Sequence, residues 1–225
     1  MIIIRTIFIT MAFMLCAALT GRAANGALTA REAATAVAAR PDGVSARPAW
    51  YVKTNLPAWG MLWTNVAVEA DVHPHISVQL PVYYSGFNYF TGKVKFRTFT
   101  IQPEARYWFG EKDYTRKAFV GVHFGLGWYN VAFGGDTRYQ DHNRRTPAIG
   151  GGISGGYRFS FTADPRWKME ASLGLGCYRL DYDHLENRHN GPVKGRTRRT
   201  FFGIDQVALS VSYSFDMNSR KGGRK

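Results

Sequence analysis

The feature that most constrains this chain is a two-residue alternation near its C-terminus. Over residues 206–215 the apolar positions are Val207, Leu209, Val211, Tyr213 and Phe215. The residues between them are Gln206, Ala208, Ser210, Ser212 and Ser214. Successive side chains on a strand point to opposite faces, so this segment has one greasy face and one small, polar face.

The same split recurs upstream. Residues 118–133 set Val120, Val122, Phe124, Leu126 and Trp128 against Gly121, His123, Gly125, Gly127 and Tyr129. Residues 167–182 set Trp167, Met169, Ala171, Leu173, Leu175 and Cys177 against Lys168, Glu170, Ser172, Gly174, Gly176 and Tyr178. Residues 76–84, 98–109 and 149–161 repeat it. With 66–71 and a strand around 52–62, the expectation is eight strands. Eight is the smallest usual membrane barrel, and an even number suits that class.

Alternation alone does not say which face is inside. A soluble lipocalin-like barrel would bury the apolar set. The second set is mostly Gly, Ser, Thr and Tyr with isolated charges, unlike the Lys- and Glu-rich surface of a soluble protein. Small residues fit a narrow barrel interior instead. The expected fold is all-β, an eight-stranded antiparallel up-and-down transmembrane β-barrel after a signal peptide. Its interior charges would be Lys53, Arg106, Arg158 and Lys168 against Glu69, Glu104 and Glu170, which must pair to be tolerated. Pro81 and Pro103 fall inside expected strands, where proline removes a ladder hydrogen bond, so bulges are expected there.

The ends of the chain fit export. Residues 1–5 give a short basic start, residues 6–19 an apolar stretch too short for a permanent span, and Gly21-Arg22-Ala23 a cleavage site after Ala23. Leu15 before Cys16 argues against a lipoprotein. The expected organisation is a signal peptide at 1–23, a periplasmic lead-in at 24–49, a barrel at 50–216 and a basic tail at 217–225. Within the lead-in, Thr29 and Glu32 match a capping box for a short helix. Of the two cysteines, only Cys177 would survive cleavage, so no internal disulfide is possible.

The formal charge is +13, two less once Arg5 and Arg22 leave with the signal. Export and the lack of a zinc-finger or RNP pattern point away from nucleic acid and toward anionic lipid or lipopolysaccharide. With a periplasmic N-terminus, turns fall at 73–75, 110–117 and 162–166, and outer loops at 63–65, 88–95, 134–145 and 184–199. The outer loops are basic: Lys93, Lys95 and Arg97, then Arg138, Arg144 and Arg145, then Arg188, Lys194, Arg196, Arg198 and Arg199. Such groups pair well with phosphate and carboxylate.

Three stretches, Lys53-Thr54-Asn55-Leu56, Glu104-Ala105-Arg106-Tyr107-Trp108-Phe109-Gly110 and the glycine-rich 121–128, resemble an uncharacterised family of Bacteroidota-type outer-membrane β-barrel proteins. The resemblance covers roughly residues 50–215. It implies an eight-stranded barrel and no established activity, and it carries no catalytic residues.

Two functional classes follow. One is a non-enzymatic outer-membrane barrel with a structural or surface-binding role, contacting lipopolysaccharide, surface polysaccharide or a protein partner through its basic loops. The other is a lipid A-modifying enzyme, for which inward His123, Ser154 and Ser172 are the candidate groups. The loop histidines His142, His184 and His189 read as solvated. His73 and His75 bracket Pro74 in a turn, without further ligands for a metal. No cofactor is expected.

Overall fold

The computed structural model describes residues 49–88, 92–110 and 117–216. The signal segment, most of the lead-in with its helix, the basic tail and most of the expected turn at 110–117 lie outside the described residues. Ten strands run in chain order: β1 (Ala49–Asn55), β2 (Thr64–His73), β3 (Ile76–Asn88), β4 (Val94–Ile101), β5 (Glu104–Phe109), β6 (Ala118–Phe133), β7 (Thr137–Asp141), β8 (Ala148–Ser160), β9 (Trp167–Glu186) and β10 (Val193–Asp216). A short helix, α1 (Leu56–Gly60), follows β1. No described helix is long and apolar enough to cross a membrane.

All the pairings are antiparallel, and they return on themselves. β1 pairs with β2, β2 with β3, β3 with β4 and β5, and those two with β6. β6 pairs with β7 and β8, these with β9, β9 with β10, and β10 with β1. The segment 206–215 thus zips onto β1, with Val52 opposite Tyr213. One edge of the last strand is closed by the first, which is remote from it in sequence.

Ten strands stand where eight were expected because two segments are interrupted. The first break is at Gln102-Pro103. Here the structure corrects the expectation of bulges at Pro81 and Pro103. Val82 pairs with Ile101 and Gln79 with Glu104, so the register runs through the break without a shift. It also holds toward β6, where Ile101 pairs with Leu126 and Glu104 with His123. Each proline removes one N–H while keeping its carbonyl in the ladder: Gln102 N donates to Pro81 O (3.1 Å) and Phe124 N to Pro103 O (3.0 Å). A missing donor breaks a hydrogen bond; it need not insert a residue.

The second break lies between β7 and β8. Asn130 pairs with Gln140 on β7, but Gly127 pairs with Ala148 on β8, so five residues, 142–146, loop out of the ladder. The same offset appears against β9. His142 bridges to Thr146 across this excursion, and Asn143 and Arg144 both take positive φ.

Other expectations also need correction. The strand around 52–62 ends at Asn55 and becomes α1, with Pro57 in its first turn and Leu62 at φ 57° beyond it. The expected outer loop at 134–145 is partly strand and that at 184–199 mostly strand. β7 occupies part of the first, leaving a Gly134–Asp136 turn in which Gly134 takes φ 85°. β9 and β10 extend to Glu186 and from Val193, leaving 187–192 as the connection.

The two faces of the ring differ sharply. Val122, Ile153, Leu173, Val207 and Phe215 are exposed, as are Val66, Val78, Leu80, Phe124 and Ile149. The opposite face is buried and polar: Lys53, Glu69, Ser77, Gln79, Glu104, Arg106, Arg158, Glu170, Ser210 and Ser212. The apolar side chains thus face out and the charges face in.

Candidate functional site

Side chains from five strands converge inside the ring on a compact knot of charge. Lys53 comes from β1, Glu69 from β2, Glu104 and Arg106 from β5, Arg158 from β8 and Glu170 from β9. Alternation brings them together, since each sits on the small, polar phase of its strand. Glu170 receives Lys53 Nζ at 2.9 Å, Arg106 at 2.6 Å and Arg158 at 2.7 Å. Glu69 pairs with Lys53 and Arg158. Glu104 accepts from Arg106 Nε at 2.9 Å, from Gln79 at 2.6 Å and from Ser154 at 2.5 Å.

Three cations and three carboxylates make this knot neutral. Its floor is aromatic: Arg158 lies 4.2 Å over Trp108 and 4.5 Å over Tyr51, and Arg106 lies 4.1 Å over Phe119. Trp108, fully buried, donates Nε1–H to Ser77 at 2.7 Å, and Ser77 donates onward to Glu69. Lys168, expected among these charges, places its ammonium 5.7 Å over the Tyr51 ring, which Arg158 also faces. The cavity above the knot, lined by Lys53, Asn55, Asn65 and Tyr83, is ≈ 20 Å³, room for about one water.

A second inward group lies farther along. His123 Nε2 is 2.6 Å from Asp205 Oδ2, and Tyr178 donates to the same oxygen at 2.9 Å. Sequence reasoning missed Asp205, whose phase should point outward. The register slips between Ile204 and Gln206, and this bulge turns both Asp205 and Gln206 inward. Two consecutive polar residues within an alternating run were the available signal. The candidate nucleophiles are engaged elsewhere: Ser154 donates to Glu104, and Ser172 accepts from Gln206 at 3.4 Å.

The basic residues expected in loops fall into three settings. Lys93 and Arg188 lie in the connections, and Arg144 and Arg145 in the excursion after β7. Lys95 and Arg97 are on β4, Arg138 is on β7, and Lys194, Arg196, Arg198 and Arg199 are on β10. Arg196 and Arg198 grip Asp181 at 2.6 and 3.0 Å, and these bonds hold its carboxyl well below the usual range. Among the described residues no such acid answers Lys95 or Arg138. Burial pushes both down, and the neighbouring cations push further: Arg138 and Arg97 act on Lys95, Arg144 and Arg97 on Arg138.

Two of the loop histidines also differ from expectation. His142 Nδ1 bonds Asp183 at 2.8 Å. His184 is half-buried between Tyr139 and Tyr182 and bonds Thr197 at 2.7 Å; His189 is exposed. His75 Nδ1 lies 3.1 Å from the Trp108 carbonyl in the tight turn after β2. Cys177 is exposed on the outward face.

Comparison with known proteins gives a family and a fold likeness. The chain belongs to the family described as a protein of unknown function (DUF3575), whose profile matches residues 33–215. The crystal structure of Neisserial surface protein A is similar at a TM-score of 0.38 and 16% identity, covering 76% of this chain and 98% of that one. No curated protein matches.

Proposed function

We propose that this member of the DUF3575 family is a non-enzymatic, eight-staved β-barrel of the Gram-negative outer membrane, presenting a basic end to anionic groups at the cell surface. The stave count rests on register. β4 and β5 form one stave because their pairing is continuous through Pro103, and β7 and β8 form another that carries a five-residue excursion.

The carrying observation is the inversion of the two faces. A ring of Val, Leu, Ile and Phe is exposed, while six charged side chains are buried within. In water that arrangement would expose a large apolar surface and desolvate charges at no gain. In a bilayer the outer face meets hydrocarbon and the closed ladder satisfies the backbone. Trp50, Tyr107, Phe109 and Trp167 at the turn end, with Tyr84, Phe99 and Trp128 toward the other, suit the two interfaces.

The neutral knot and its small cavity support a closed barrel that conducts little. The engagement of Ser154 and Ser172 away from His123 supports a binding rather than a catalytic role. The outward-facing partner is then lipopolysaccharide, surface polysaccharide or another protein, met by the cations of the loop end.

Cell fractionation with heat-modifiable gel migration tests the placement. The folded protein should need detergent for release and should migrate differently before and after boiling. Release without detergent would overturn the membrane reading, and large single-channel conductance in planar bilayers would overturn the closed one.

A further inference from the structure

The outward face changes character abruptly at the loop end. On β4 the outward series passes from Phe99 to Arg97 and Lys95; on β9 it passes from Leu175 and Cys177 to Arg179. On β10 it passes from Phe202 to Thr200, Arg198 and Arg196. Apolar side chains give way to cations within one or two steps of the alternation.

The register gathers part of this collar into one patch. Phe99 pairs with Trp128 on β6, an aromatic step on the outer wall. The next outward row is Arg97–Asn130–Gln140, and the one beyond holds Lys95 opposite Ala132, with Arg138 on the adjoining strand. The excursion 142–146 brings Arg144 to the same patch, close enough to weaken Arg138's hold on its proton.

One buried donor of these rows, Arg138 Nε, has no hydrogen-bond partner among the described residues. Arg138 is only 9% exposed, and no ion pair joins it to a described carboxylate. A buried guanidinium without an anion is costly. The acids on the far side are already engaged: Asp183 by His142, and Asp181 by Arg196 and Arg198.

We infer that the β4–β6–β7 wall, through Lys95, Arg97, Arg138 and Arg144, is a binding site for a phosphate group carried on an outer-leaflet glycolipid. A phosphate monoester supplies the oxygens the cations lack, and guanidinium groups match it bidentately. An acyl-anchored phosphate would lie where the aromatic step ends, with its chains against Phe99 and Trp128. The site rests on the outer-membrane reading above, and it adds a ligand class and a location to it.

The test uses the full-length protein in detergent micelles, with native mass spectrometry counting retained lipids. The probes are bisphosphorylated lipid A, its dephosphorylated form, and inorganic phosphate as competitor. The wild type should retain the phosphorylated lipid and release the dephosphorylated one. Arg97→Gln and Arg138→Gln should each weaken retention by about tenfold, the worth of one lost charge-assisted contact. Arg166→Gln, in the exposed β8–β9 turn at the opposite end of the strands, should change nothing.

Equal retention of the two lipids by the wild type would overturn the site, even if the variants failed to fold. Displacement by inorganic phosphate alone would overturn the assignment to a lipid. Loss of heat-modifiable migration in the wild type would instead refute the membrane reading, so the two failures are separable.

Discussion

Substituting Glu170 by Gln is the sharpest probe of the interior. The change is nearly isosteric, so it leaves no cavity, but it removes one of three buried carboxylates. Lys53, Arg106 and Arg158 all lie within 3.0 Å of Glu170 oxygens. At an effective dielectric of about 20, a unit pair at about 2.7 Å interacts by ~6 kcal/mol. Desolvation of both ions cancels much of that, and breaking a buried pair costs about 3–5 kcal/mol in practice. The expected loss for Glu170→Gln is therefore about 3–5 kcal/mol. The second half of the argument is charge balance. Adding Lys53→Met leaves Arg106 and Arg158 against Glu69 and Glu104, a neutral set again. The double variant should recover about 1–3 kcal/mol relative to the sum of the singles, the usual coupling of contacting residues. Urea unfolding of the folded protein in lipid vesicles, read by tryptophan fluorescence and by gel migration, measures both. A loss below about 1 kcal/mol for the single variant, or strict additivity in the double, would refute the claim that a balanced ion knot holds the ring together.

Three further outcomes follow from the same geometry. Gly150→Val should prevent or severely weaken folding. A Cβ there would run into the Cys177 carbonyl and stand 2.7 Å from Tyr178 Cα, both parts of the β9 backbone, whereas Gly135→Ala, with nothing within 4 Å, should leave heat-modifiable migration unchanged. Pro103→Ala should create an amide that exchanges slowly with solvent. Phe124 already donates to the carbonyl of residue 103, so the new N–H lies within the same ladder, and fast exchange would show the ladder is broken there. Acid should loosen the β9–β10 end beyond the apolar belt. Arg196 and Arg198 depress Asp181, so their contribution is present at neutral pH and is lost as pH falls below the unfolded carboxylate value of about 3.9 toward the lower folded one. Hydrogen exchange at residues 196–198 should rise over that window in the wild type and show no such pH dependence in Asp181→Asn.

Much of the fold is legible in the sequence, and less of the candidate site. Alternation by itself assigns Val207, Leu173 and Val122 to one face, and Ser212, Glu170 and Gly121 to the other. The phase of Lys53, Glu69, Glu104, Arg106, Arg158 and Glu170 is readable in the same way. That of Asp205 is not, because a bulge moves it to the other face. Nor are Arg138 and Arg97 recognisable as parts of one patch. They are 41 residues apart and read as belonging to separate loops; only the length of β7 and the pairing of Arg97 with Asn130 make them neighbours.

The division has a physical cause. Alternation is a property of the covalent chain: consecutive side chains of any strand point oppositely, so composition at every second residue fixes which face is apolar. That much the chain determined by itself. Which charge meets which is a property of register. Register is set by hydrogen bonds between strands remote in sequence, as when β10 closes on β1, and by local slips such as the bulge at Asp205 and the excursion after β7. Only the closed tertiary structure could therefore decide that Glu170 receives three cations and that Arg138 meets no carboxylate among the described residues.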